Sequence, residues 1–122
     1  MSIQLDHTIV RARDKYASAR FLAAILDLPV GEEFGPFVPL HLANGVTLDY
    51  MTVDQPQPQH YAFLVDEDEF DAAFARIRDQ GLAYYAEPGG GRPGHINHRW
   101  GGRGVYFDDP DHHAMELLTR AP

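Results

Sequence analysis

The feature that most constrains this chain is that it can be laid over itself. Both halves carry the same order of patterns, so the correspondence can be counted. His7 maps to His60 at an offset of 53, and the same offset carries Phe21 to Phe74 and Leu28 to Gly81. Toward the end of each half the offset becomes 67, taking Val38 to Val105, Val46 to His113 and Asp49 to Glu116. The fourteen extra residues fall in the glycine-rich stretch 87–102, EPGGGRPGHINHRWGG. A loop of that length in a compact domain is commonly functional, and a lid or pocket wall is expected here.

The repeated unit reads as βαβββ. Residues 3–11 alternate as a strand, with Leu5, His7 and Ile9 on one face. Asp14 caps a helix over 15–27, whose apolar positions Ala17, Phe21, Ala24, Ile25 and Leu28 recur at helical spacing before Pro29 ends it. Strands are predicted over 30–34, 37–42 and 46–53, broken by Gly35-Pro36 and by the hairpin signal Asn44-Gly45. The polar, proline-rich DQPQPQ of 54–59 reads as a connector. The second unit repeats the order: a strand over 60–65, then a helix capped by Asp66 with Glu67, Asp68 and Glu69 in its first turn, where the helix dipole favours anions. Phe70, Ala73, Phe74 and Ile77 form its apolar stripe, Arg76 and Arg78 sit in the last turn and Gly81 supplies the stop. Strands are predicted over 83–86, 104–108 and 113–119. The fold class expected is α+β: one domain over 1–122, made of module one (about 1–53), the linker and module two (about 60–122).

Composition narrows the chemistry. A chain of 122 residues without cysteine excludes disulfides, thiolate zinc sites and a cysteine nucleophile. A metal would have to use nitrogen and oxygen ligands. The net charge of −8 disfavours nucleic acid and anionic membrane surfaces and points to a small-molecule partner. The N-terminus lacks a signal-peptide pattern and no stretch reaches membrane-spanning length, so a cytoplasmic location is expected.

A lone strand histidine is more often a hydrogen-bonded core residue than a ligand. His7 and His60, however, hold the same place in two repeats, and Glu116 sits between Met115 and Leu117 in the last strand. A carboxylate in such a strand is costly unless paired or bound to a cation. A divalent metal held by His7, His60 and Glu116 is therefore expected. Strand alternation lets each of the three face one concavity.

At these residues the chain resembles the vicinal oxygen chelate superfamily, which includes glyoxalases, bleomycin-resistance and fosfomycin-resistance proteins and extradiol dioxygenases. The resemblance rests on LDHTIV, HYAFLV, the FDDPD turn and AMELL and spans essentially the whole chain. It implies paired βαβββ modules curled into an incomplete mixed-sheet barrel, with His7, His60 and Glu116 at the metal positions. Two histidines and a carboxylate suit Fe(II) and oxygen chemistry, and Mn(II), Ni(II) and Zn(II) accept the same set. Asp49, matched to Glu116, stands where glyoxalase I enzymes carry a fourth ligand, normally glutamate; the other reading is a solvated carboxylate beside Tyr50.

The last third is similar to the extradiol dioxygenase signature, through Ile96-Asn97-His98, the run from Val105 to Asp111 and Glu116. His112 departs from it, standing where glycine or proline is usual and where the turn calls for positive φ. The resemblance implies that Tyr106 and His98 contact substrate hydroxyls or dioxygen. A packed strand aromatic and a solvated loop histidine are the plain alternatives. His41 is the nearest counterpart to a further histidine base, and Arg99, Trp100 and Arg103 are pocket residues suited to an anionic substrate, or else solvated surface groups.

Three functions follow. The leading one is extradiol-dioxygenase-like oxidation of a substrate held through vicinal oxygens, with Fe(II) favoured. The second is a glyoxalase-type isomerase or lyase in which Asp49 also binds metal and a carboxylate, Glu116 or Asp49, shuttles a proton. The third is a metal-free protein that sequesters an antibiotic or metabolite. Exposed sheet edges make a homodimer the expected assembly.

Overall fold

The computed structural model describes residues 2–122. The chain forms two compact units, the first reaching Gln57 and the second spanning Pro58–Pro122.

In the first unit, β1 (His7–Ala12) leads into α1 (Lys15–Leu26), followed by β2 (Phe37–His41) and β3 (Thr47–Thr52). Their sheet has the order β1-β3-β2, with β1 parallel and β2 antiparallel to β3. Asp14 caps α1 by accepting from the amides of Tyr16 and Ala17, and Asp27 closes it in the left-handed region. The predicted helical stripe is displaced by about one position: Ser18, Ala19, Leu22, Ala23 and Ile25 are buried while Ala24 is exposed. Alanines on both sides of ASARFLAAIL leave helical periodicity a weak guide to rotation. Their partners are Val10, Ala12, Val38, Leu40, Leu48 and Tyr50, all buried.

The second unit repeats this plan with β4 (His60–Leu64), α2 (Glu67–Asp79), β5 (Gly104–Asp108) and β6 (Ala114–Leu118) in the order β4-β6-β5. Asp66 and Glu69 form a reciprocal capping box, and Gly81 (φ 68°) ends α2 as expected. The register carries the offsets: His7 pairs with Thr47 and His60 with Ala114, Ile9 with Asp49 and Ala62 with Glu116, Val38 with Tyr50 and Val105 with Leu117.

The second of the four strands predicted in each module does not form. Over 30–34, Gly31 N–H reaches Pro39 O at 2.9 Å, but Pro39 has no N–H to return the bond, and pairing shrinks to a bridge between Phe34 and Phe37. Over 83–86, Tyr85 exchanges backbone bonds of 2.9 and 2.8 Å with Tyr106. Its neighbours turn away, Tyr84 O accepting from Gly94 and Ala86 N donating to Arg92. Residues 3–6 also lie outside β1, which begins at His7. No described helix is long and apolar enough to cross a membrane.

Candidate active site

Strand alternation sorts each sheet into two faces. In the second unit Tyr61, Phe63, Met115 and Leu117 alternate with His60, Ala62, Ala114 and Glu116. The latter face also carries Tyr106, which pairs directly with Glu116 across β5 and β6. His60 and Glu116 are diagonal neighbours on adjacent parallel strands, and His60 Nε2 donates to Glu116 Oε1 at 2.9 Å. The His60 side chain is 51% exposed and that of Glu116 13%.

Tyr106 stands over this pair, its ring 5.8 Å from that of His60. Burial, and then the negative charge of Glu116, pushes its phenol pKa up, against the pull of Arg99. At neutral pH it is a hydroxyl donor. Arg99 Nη1 donates to the Tyr106 hydroxyl at 3.2 Å, and Arg99 Nη2 pairs with Glu87. Asn97 positions Arg99: it is buried, exchanges backbone bonds with Gly104, donates to Ala86 O at 2.8 Å and accepts from Arg99 N at 3.2 Å.

The first unit carries the related arrangement. His7 and Asp49 hold the same diagonal as His60 and Glu116. The shorter Asp49 makes no matching bond: it is 5% exposed and its Oδ1 is buried without a hydrogen-bond partner. His7 Nδ1 bonds instead to Asp6 Oδ2 at 2.8 Å, which leaves Nε2 free. That bond, above all, raises the His7 pKa, with a smaller contribution from Asp49. His41 is exposed on the same sheet face, its Nδ1 2.9 Å from Thr47 Oγ1.

The donor set has the chemistry a divalent metal takes. Its atoms are imidazole nitrogen and carboxylate oxygen, in a chain without thiols. Two adjacent ligands each about 2.1 Å from one ion lie about 3 Å apart, matching the separation of His60 Nε2 and Glu116 Oε1. The pairing of His7 with Asp6 is the kind of carboxylate contact that orients imidazoles in metal sites. The orphaned Asp49 oxygen is an atom a cation would satisfy. Among the described residues, no three His, Asp or Glu side chains gather as a group that could hold a metal ion.

Other predicted residues are placed differently. His98 lines a cavity beside α2, and Trp100 is 56% exposed at φ 61°. Arg103, expected near substrate, turns to α2, where Glu67 and Asp71 each accept from it at 2.8 Å and Phe70 lies beneath it at 4.5 Å. His112 adopts the positive φ its position calls for, 63°. Asp6, Glu87 and the buried pairing of Asp109 with the His113 amide were not found by sequence reasoning. The Asp-His dipeptide in LDHTIV was the available signal for the first; nothing marked Glu87.

The glyoxalase/bleomycin resistance protein/dioxygenase superfamily model matches residues 4–117. The chain belongs to this superfamily. Two solved structures resemble this superfamily member over nearly their whole lengths. One, Oxidase ChaP-H2, is 58% identical with a TM-score of 0.97, covering 99% of this chain and 96% of its own. The other, Oxidase ChaP-H1, is 54% identical with a TM-score of 0.96, covering 98% of each chain. The superfamily fold is also shared with a variant fosfomycin resistance protein FosX from Listeria monocytogenes, complexed with Mn(II) and 1S,2S-dihydroxypropylphosphonic acid. That protein is 24% identical with a TM-score of 0.75, covering 99% of this chain and 95% of its own. Comparison with curated proteins finds no match.

Proposed function

We propose that this chain is a metal-dependent oxidase of a small molecule presenting two vicinal oxygens, a catechol-like ring being the leading substrate class. The observation that carries the reading is the identity of 58% and 54%, over nearly full length, with two named oxidases. The ligands are His7, His60 and Glu116, with Fe(II) favoured over Mn(II), Ni(II) and Zn(II). A divalent ion held there supplies Lewis acidity toward vicinal oxygens and, if iron, access to dioxygen chemistry.

The chain's own groups do the rest. Asp6 fixes the tautomer of His7 so that Nε2 is the free nitrogen. Tyr106, kept protonated by burial, donates to a substrate oxygen. Arg99 holds positive charge against that hydroxyl and stabilises negative charge that develops on it. His98 contacts substrate from the loop and His41 from the first unit.

One observation favours a second reading. Asp49 holds the position equivalent to Glu116 and has a buried oxygen without a partner, as a fourth ligand of a glyoxalase-type isomerase would. Oxygen consumption by Fe(II)-loaded protein with a catechol panel, beside thiohemiacetal isomerisation by the Ni(II) form, separates the two. Uptake with a catechol that Tyr106→Phe slows is expected. Isomerisation without oxygen uptake would replace the oxidase reading.

A further inference from the structure

The second unit holds a cavity of about 770 Å³ between α2 and the loop that follows it. We propose that this cavity is a binding site for a phosphoryl-class oxyanion. Three arginines line it, Arg78 from α2 and Arg92 and Arg99 from the loop, together with His95. The only carboxylate in the lining, Glu87, is already engaged by Arg99. In a chain of net charge −8 this is a local concentration of positive charge, and a concave wall focuses such a field on an anion. Neither Arg78 nor Arg92 has a carboxylate partner among the described residues, so both guanidinium groups keep donors for a ligand.

The backbone supports the same assignment. Arg92 has φ 52°, a left-handed conformation unfavourable for any residue with a Cβ, although the surrounding loop is rich in glycine. Its main chain anchors the loop, Arg92 O accepting from Ala86 N and His95 N. An arginine held at such a position, where glycine would fit without strain, is explained by a role for its side chain. The apolar wall adds a preference. Phe74 and Tyr84 meet edge to face at 5.0 Å, and Arg78 lies 4.5 Å over the Phe74 ring, a surface suited to a flat group attached to the oxyanion. Arg99 and His98 are shared with the site proposed above, but the test reads anion binding without metal or turnover, so the two readings fail separately.

Amide shift mapping by NMR tests it, with inorganic phosphate and phenyl phosphate titrated separately into the full chain. Saturable shifts are expected across 92–99, and roughly tenfold weaker binding in Arg78→Gln, as for loss of one charge-assisted contact. Arg92→Gly removes the guanidinium and relieves the left-handed backbone, so it should weaken binding by a similar factor while keeping the fold. Tighter binding of phenyl phosphate would identify the phosphoryl group of a larger aromatic ligand as the occupant; equal binding would identify free phosphate. Shifts that do not saturate, or affinities unchanged in both variants while Arg20→Gln behaves like the parent, would overturn the site.

Discussion

His60 Nε2 and Glu116 Oε1 lie 2.9 Å apart although 56 residues separate them. The parallel pairing of β4 with β6 brings them together, and the glutamate is long enough to span the diagonal. As a histidine–carboxylate contact half open to solvent on the histidine side, it contributes little to folding, about 1 kcal/mol at most. Glu116→Gln should therefore leave the urea midpoint almost unchanged while oxygen consumption falls by at least about a hundredfold, since losing a ligand should cost no less than the roughly 10–100-fold of losing a group that merely orients one. A large drop in stability with activity retained would assign the pair to the fold instead.

Asp49 makes the opposite prediction. Its buried, unpartnered Oδ1 is costly in the metal-free chain, so Asp49→Asn should stabilise that form by about 1 kcal/mol or more. Chemical denaturation in chelator, then with Mn(II) added, measures this. The gain should shrink or reverse with the cation present. A loss of stability in chelator would show that the carboxylate supports the fold by itself.

Arg103 braces β5 against α2, and its contribution is pH-dependent. Bonds from Thr119, and then from Arg103, lower the Glu67 pKa from its ordinary value of 4.5. A carboxylate with a depressed pKa stabilises the fold above that ordinary value, and the contribution is lost as pH falls through the folded value. Arg103→Gln should accordingly be most destabilised relative to the parent at neutral pH, the gap narrowing below about pH 4. Thermal melts of both proteins from neutral to acidic pH check this. A constant gap would leave only the packing of Arg103 over Phe70 as its role.

Much of the fold was legible because repeated registers must repeat their pairings. The offsets of 53 and 67 fall on the observed partners, His7 with Thr47 and His60 with Ala114. What escaped depends on single backbone atoms or on contacts between distant side chains. Pro39 withholds the N–H that would have extended residues 30–34 into a strand, and Tyr85 pairs for one residue before the loop takes its neighbours. Asp6 lies just before β1, where strand alternation no longer governs direction, so its bond to His7 was hidden by the period used to read the strand. Arg99 and Arg103 look alike in sequence. One reaches Tyr106 and the other the carboxylates of α2, a difference set by how the loop around Asn97 is pinned.

Bound metal per chain tests the central claim most directly. The parent, His7→Ala and His60→Ala should be purified anaerobically, loaded with Fe(II), dialysed and assayed by elemental analysis. The parent should retain close to one ion per chain, and each variant should lose most of it while keeping the parent's far-UV circular dichroism. A parent that retains no iron, manganese, nickel or zinc, or variants that retain as much as the parent, would contradict the account.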